Sequence, residues 1–513
     1  MEAFSNIVGV IDSFVWSVWL LIPLLTVTGL VLTIRLRGVQ FTKLWPALKL
    51  GLFKRQDPGS AGDITQFQAL TTALAATVGV GNIVGVATAI GVGGPGALFW
   101  MWVTGLLGMA SKYAETFLGS KYREKDSRGE VVGGPQVYLE KAIVGPVGKT
   151  LAILFAVFGA LAAFGIGNGT QVKAMVDNMN SAFHVPALAT GVIVMILVGL
   201  VLIGGIKAIG RATAAFVPFM IVVYLLAGIV VLAMNITAIP DAFALVFTDA
   251  FTGTDAVTGD PSGKERLMDF LGATMGVAIQ RGMARGIFSN ESGMGSAAIV
   301  AAAAKTSHPV RQGLVAMTQT FIDTIVVVSF TGLVIISTGV WKAADVVLKS
   351  DGTPELTDAG KMIRDDGGLT RQAFADTIGS NFGPAIVAIC VVFFALSTVI
   401  GWSYYGERCA VRLLGIKAQM PYRVVFTALI VVWAVVPAAT IWEIADILNG
   451  LMALPNLIGL LILSGMIARE TKHYLSVDPD LTKNNVKPSA LEAISLKGRR
   501  FVWTPAPERV SHR

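Results

Sequence analysis

The chain has 513 residues, with 40 Lys and Arg against 33 Asp and Glu, a formal net charge of +7. Charged residues are 14% and the hydrophobic set 54%, which the 56 glycines raise to roughly 65%, against about 25% and 45–50% in soluble domains. A soluble enzyme of this length needs more polar surface than that, and the slight basic excess behind a pI of 9.3 makes no nucleic-acid-binding patch. The composition implies an integral membrane protein.

A membrane-spanning helix needs about 20 mostly apolar residues. Eleven such runs are predicted, near 14–34, 68–90, 95–118, 150–178, 187–204, 213–234, 268–302, 312–341, 377–405, 424–442 and 446–468. The first is no cleavable signal, because no Lys or Arg precedes it while Arg35 and Arg37 follow at once. That polarity places the N-terminus outside. The inner loops then hold Lys43, Lys49, Lys54 and Arg55; Lys121, Arg123, Lys125 and Arg128; Lys207 and Arg211; Lys305 and Arg311; and Arg408, Arg412, Lys417 and Arg423. The outer loop before the seventh span carries Asp241, Asp249, Asp255 and Asp260 instead. Basic inner loops are what insertion favours, so the expected topology is N-out and C-in across a cell membrane.

The expected organisation is an extra helix and basic linker over 1–67, a first half over 68–234, an acidic outer loop over 235–267, a second half over 268–468 and a cytoplasmic tail over 469–513. Five spans per half give the halves opposite orientation. Each half opens with a glycine-interrupted segment: Thr77-Val-Gly-Val-Gly-Asn-Ile-Val-Gly85, and Gly282-Met-Ala-Arg-Gly286 continuing through Asn290, Gly293 and Gly295. Glycines in membrane helices also serve close packing. Their matching places in inverted halves point instead to a transporter binding site. Backbone freed around Gly79 and Gly81 offers N–H groups to a carboxylate and carbonyls, with those of Ala75 and Val78, to a cation. Such groups are tolerated at membrane depth only inside a cavity or buried in protein.

Further along, Gly165-Ile-Gly-Asn-Gly-Thr-Gln171 presents the amides of Asn168 and Gln171, suited to a zwitterion or equally to interhelical glue. Arg281, Arg285, Glu291 and Asp323 lie within spans, where each needs a role; ion pairing among them is expected first, a gate or ion path second. In the ninth span Ser397 and Thr398 can complete an oxygen cage for sodium, or hydrogen-bond their own backbone. Trp402, one turn beyond Thr398, shares its face. Lys112, Glu115, Glu407 and Arg408 read as interfacial.

Cys390 and Cys409, about 28 Å apart along one predicted helix, read as core thiols. The four histidines fall in predicted loops or the tail, and no HExxH motif occurs. Gly145-Pro-Val-Gly-Lys-Thr150 lacks the first glycine of a phosphate loop and reads as a loop leading into a helix. A membrane-embedded enzyme is therefore not expected.

The run Gly93-Gly-Pro-Gly-Ala-Leu-Phe-Trp-Met-Trp-Val-Thr-Gly-Leu-Leu-Gly108 resembles the signature of the alanine or glycine:cation symporter family. Gly286-Ile-Phe-Ser-Asn-Glu-Ser-Gly-Met-Gly-Ser296 and Phe321-Ile-Asp-Thr324 resemble further motifs of it. The resemblance implies a sodium-coupled importer of alanine or glycine, an all-α membrane protein with a 5+5 inverted-repeat core of the leucine-transporter type and two broken helices. It implies a sodium ion held by Ala75, Val78, Ser397 and Thr398. The candidate substrate set is Thr77, Gly79, Gly81, Asn82, Asn168, Gln171, Gly276, Gln280 and Trp402, the last resembling a family residue that limits pocket size. An Asn of the leucine transporter that marks a second ion site corresponds here to Ala76. The fifth repeat helix, 213–234, lacks the lysine that replaces sodium in some relatives, which favours sodium over protons.

The expected partners are a small neutral amino acid, the sodium ion and the lipid bilayer, with no nucleic acid and no obligate protein partner evident. Proton-coupled transport on the same fold is the alternative. A channel is less favoured, since it wants a ring of repeated filter residues.

Overall fold

The computed structural model describes residues 8–503 except 9–10, 12–13, 18, 55–56, 58–59, 253–272, 344–367, 437, 484–485, 487, 489–490 and 497–499. Within these, the chain is built mostly of helices. Six are long and apolar enough to cross a membrane: Pro146–Phe183, Gly205–Met234, Pro309–Thr338, Phe382–Leu414, Ile416–Val435 and Ile444–Val477. Gln66–Thr77 and Val80–Gly93, bent 62° apart, together make a seventh. Leu21–Arg35 and Ala187–Ile203 are shorter apolar helices. The chain is a mostly helical, multi-pass membrane protein.

Burial separates inner from outer helices. Leu188, Ile193, Ile196, Leu200 and Ile203 of Ala187–Ile203 are exposed, the aliphatic surface expected against lipid. By contrast, every residue from Gly108 to Lys121 of the Gly96–Lys121 helix is buried. That helix is a central post, with Ala273–Asn290 and Pro309–Thr320 packed along it. Its N-terminus is closed by Asp249, whose carboxylate accepts from the Gly96 N–H at 2.6 Å. An anion there also meets the positive end of the helix.

The second half breaks later than expected. Ala273–Asn290 is helical through Gly282 and Gly286, and the interruption falls at Glu291–Gly295, before Ser296–Ala302 resumes. The earlier glycines serve packing. A Cβ on Gly282 would lie 2.4 Å from the Ala97 carbonyl oxygen, and one on Gly286 2.3 Å from Thr104 Oγ1. At the real break, Glu291, Gly293 and Gly295 all have positive φ (54°, 85° and 83°).

Lys112, Glu115, Glu407 and Arg408 are buried rather than interfacial. Lys112 and Glu115 pair at 3.1 Å with no exposed side-chain area. Arg423 donates to Glu407 at 2.6 Å, and Arg408 to Glu130 at 2.5 Å. The two cysteines are buried and unbridged. Gly148 and Lys149 lie within the helix Pro146–Phe164 rather than in a loop.

The tail is tied to the core. Leu491–Ser495 pairs in parallel with Ile143–Val144 and antiparallel with Arg500–Trp503. Arg311 is the knot beneath it. Its guanidinium grips Asp57 by two bonds, Nε to Oδ2 at 2.8 Å and Nη2 to Oδ1 at 2.6 Å, and reaches the Leu481 carbonyl at 2.9 Å. Asp57 also accepts from Gln66, at the start of the first broken helix, and from Ser307. Burial raises the Asp478 carboxyl pKa, but the N–H groups of Thr482 and Lys483, the Tyr474 hydroxyl and the Arg311 charge outweigh it and leave it below the ordinary value. This hold on the tail is therefore lost only as pH falls through that lowered value.

Removing one partner of a buried pair strands the other charge. Asp57→Ala is expected to lower stability by about 3–5 kcal/mol, read as an earlier thermal transition of the purified protein in detergent. A wild-type transition would show that Arg311 does not depend on Asp57.

Candidate functional site

The first break begins where the helix ladder fails. Val78 makes the last regular bond, to the Leu74 carbonyl at 2.7 Å, and leaves helical geometry at ψ 83°. The Gly79 N–H turns to Asn82 Oδ1 at 2.9 Å, and the Val80 N–H to Gln171 Oε1 at 3.1 Å. The carbonyls of Ala75 and Ala76, which those two N–H groups would occupy in an unbroken helix, lose their donors.

The Ala75 carbonyl finds new ones. Ser397 Oγ donates to it at 3.2 Å and Thr398 Oγ1 at 2.9 Å. Each hydroxyl also has an alternative acceptor, the Phe394 carbonyl, at 2.8 and 3.1 Å. With both protons turned to Phe394, the Ser397 and Thr398 oxygens would join the Ala75 carbonyl oxygen as acceptors of the kind a hard cation prefers. The approach requires glycine at 79, where a Cβ would stand 2.4 Å from Thr398 Oγ1 and 3.0 Å from Gln171 Oε1.

Asp323 adds the charge. It is fully buried in the π-helical turn Phe321–Val328 and accepts from Asn82 Nδ2 at 2.7 Å, Ser289 Oγ at 2.9 Å and Thr324 Oγ1 at 2.8 Å. Among the described residues no Lys or Arg forms an ion pair with it. It thus joins the first break, through Asn82, to the end of the helix before the second, through Ser289. Gln319, from the preceding turn, donates to Thr77 Oγ1 at 2.9 Å and to the Asn290 carbonyl at 3.1 Å, making the same link.

The second break is sealed by ionic groups. Lys112 Nζ donates to the Glu291 carbonyl at 2.8 Å, Glu115 Oε2 accepts from the Gly295 N–H at 2.9 Å, and Asn456 Nδ2 donates to the Gly293 carbonyl at 2.8 Å. The Glu291 carboxylate accepts from Ser296 Oγ and from Trp402 Nε1, both at 2.6 Å. Trp402 is fully buried. It is pressed so closely on Gly167 that a Cβ there would lie 2.2 Å from its own.

Thr77, Gly79, Asn82, Gln171, Ala75, Ser397 and Thr398 thus converge, and a Cβ on Gly81 would touch the Phe288 ring at 3.2 Å. Other candidates do not join them. The π-helical turn Gly165–Gly169 rotates Asn168 away from Gln171, and its amide donates to the Phe426 carbonyl at 2.7 Å as interhelical glue. Gln280 donates to the Trp16 carbonyl at 3.3 Å, and Gly276, earlier on that helix, has nothing within 4 Å of an added Cβ. The expected pairing among Arg281, Arg285, Glu291 and Asp323 is also replaced, since Arg285 pairs with Asp446 at 3.2 Å and the two acids go to the breaks. Sequence reading missed Gln319, Lys112 and Glu115 as partners of the breaks. Their only signal was polarity inside an apolar run.

A profile described as the sodium:alanine symporter family matches residues 1–488. The chain belongs to that family. The Methanococcus maripaludis sodium/alanine symporter AgcS is 49% identical over 94% of this chain and 99% of its own. An uncharacterized transporter of Haemophilus influenzae is 47% identical over 92% and 96%, and the probable sodium/glutamine symporter GlnT of Bacillus subtilis 33% over 92% and 91%. Among solved structures, that of MhsT in complex with L-phenylalanine superposes with a TM-score of 0.52 at 14% identity, covering 81% of this chain and 99% of MhsT. At that identity the likeness concerns fold alone, and the fold is that of the leucine transporter. The family member described here is a sodium-coupled amino acid symporter, not an enzyme, with sodium as the co-transported ion.

Gly79→Ala is expected to cut sodium-dependent uptake in proteoliposomes more than about tenfold, a cost above about 1.4 kcal/mol, because the methyl displaces Thr398 Oγ1 and Gln171 Oε1 from the first break. Gly276→Ala should stay within about twofold of wild type, as a substitution that meets nothing. Equal effects of the two would place the site elsewhere.

Proposed function

We propose that the protein imports alanine, with glycine as a second substrate, down the sodium gradient by alternating access. The observation that carries this reading is the meeting of the Ala75 carbonyl and the Ser397 and Thr398 hydroxyls beside two N–H groups held by side-chain amide oxygens. An amide oxygen stands where a carboxylate oxygen can take its place, so the Gly79 and Val80 N–H groups would receive the substrate carboxylate. Sodium would sit among Ala75, Val78, Ser397 and Thr398, and Asp323 would balance positive charge brought in by the ion or the substrate ammonium. Trp402 would wall the pocket, leaving room for a methyl or hydrogen side chain. The name of the Methanococcus relative supports alanine as cargo.

In the same reading the chain spans the membrane eleven times, with the N-terminus outside, the C-terminus inside, and inverted halves over 68–234 and 268–468. Sodium binding orders the unwound backbone at the first break and so prepares the substrate site. The coupling is reciprocal, and alanine must tighten sodium binding by the same factor.

Alanine uptake into proteoliposomes should collapse when sodium is replaced by choline at constant pH; undiminished uptake would favour proton coupling instead. Thr398→Ala should raise the sodium concentration for half-maximal uptake about tenfold, the loss of one ligand oxygen, while the order of substrate preference stays unchanged. Asp323→Asn, nearly isosteric, should weaken sodium-dependent alanine binding by at least about tenfold. Wild-type sodium dependence in both variants would remove these residues from the site.

A further inference from the structure

We propose that Glu291 is a specificity-determining residue: its carboxylate fixes the Trp402 indole, and through it the size of side chain that the transporter accepts. The proposal deepens the reading of Trp402 as a pocket wall and rests on it.

Glu291 is an unusual residue for its backbone. Its φ of 54° lies in the left-handed region, like those of Gly293 and Gly295 in the same break. Glycine adopts that region freely, whereas a residue with a long side chain is strained there. A carboxylate kept at such a position is being used for its side chain.

Its partners show for what. Lys112 donates to the Glu291 carbonyl, and its ion pair is with Glu115. The Glu291 carboxylate is left to two short bonds, Oε2 with Ser296 Oγ and Oε1 with Trp402 Nε1, both at 2.6 Å. Ser296 is the first residue of the helix that resumes after the break, so it holds the carboxylate from the far side of the gap. With Glu291 1% exposed and Trp402 fully buried, water does not replace either bond.

The indole N–H needs an acceptor in this water-free setting. Trp402 Cβ and Cγ are pressed against Gly167, where an added Cβ would lie 2.2 and 2.5 Å away, and the Tyr405 ring stands edge-on at 5.6 Å. These contacts confine the base of the ring but offer no acceptor. A buried indole N–H without an acceptor pays a desolvation penalty, so the ring swings toward another one. A charged acceptor holds it more firmly than a neutral one. Gly167 lies one turn from Gln171, whose amide holds Val80 at the first break, so in the reading of Trp402 as a wall a change in the ring's tilt reshapes the pocket.

The test measures uptake of labelled alanine into proteoliposomes by the full chain, in competition with glycine, 2-aminobutyrate, valine and leucine. The variants are Glu291→Ala, Glu291→Gln, Trp402→Phe, Trp402→Ala and the double Glu291→Ala/Trp402→Phe. The preference for alanine over valine should fall about tenfold in Glu291→Ala and in Trp402→Phe, each losing the same bond. The double variant should fall no further, since one interaction is removed twice. Glu291→Gln, whose amide oxygen still accepts, should keep most of the preference. If Glu291→Ala does not fold, Glu291→Asn replaces it, since Asn tolerates a left-handed backbone but is one methylene too short to reach the indole. Loss of alanine uptake with an unchanged alanine-to-valine ratio in the Glu291 variants overturns the proposal, as do additive effects in the double variant. An unchanged ratio in Trp402→Ala as well overturns the wall reading beneath it.

Discussion

A lipid bilayer offers no water to a broken helix, so each peptide group released at a break must be taken up by another part of the protein. Much of this fold can be understood as the means of doing so. The post Gly96–Lys121 is buried along its inner half because Lys112 and Glu115 must reach the second break. The turn at Phe321–Val328 is wound wide, and Asp323 on it meets Asn82 of the first break. The turn at Gly165–Gly169 is wound wide as well, just ahead of Gln171. Such π-helical turns often mark functional places in a helix.

The two breaks are sealed in different chemical currencies. At the first, neutral amides of Asn82 and Gln171 hold the N–H groups, and hydroxyls with a second acceptor within reach hold the Ala75 carbonyl. Exchanging a neutral amide oxygen for a carboxylate, or turning a hydroxyl proton to its second acceptor so that the oxygen faces a cation, costs little more than the bonds being replaced. At the second, Lys112, Glu115 and Glu291 form buried ionic contacts, and removing one partner of such a contact strands a charge. The first break is thus suited to exchange with a ligand and the second to staying as built. Asp323, Ser289, Asn290 and Gln319 join them by hydrogen bonds.

Charge placement follows the same economy. Arg311 reads in sequence as a loop cation of the inner face, yet it is enclosed and binds Asp57 and the Leu481 carbonyl. It ties the segment before the first broken helix, the start of the helix after the second, and the end of the last helix into one knot. A planar guanidinium with five donors can serve three such segments at once, which a lysine cannot.

Sequence alone determined the membrane class, the helical runs, the break after Thr77 and the hydroxyl pair at Ser397 and Thr398, because each follows from composition or from glycines and polar groups inside an apolar run. The family resemblance carried by Gly93–Gly108 was equally local. Tertiary structure decided where the second helix opens, since Gly282 and Gly286 look like breakers until Ala97 and Thr104 are seen pressed against them. It also decided that Gln171 meets the first break while Asn168 does not, that Lys112 and Glu115 are interior partners of unwound backbone, and that Asp323 binds Asn82 of the first break. The physical reason is distance along the chain: the groups that satisfy the two breaks come from 91, 180 and 241 residues away, and no local pattern records such a meeting.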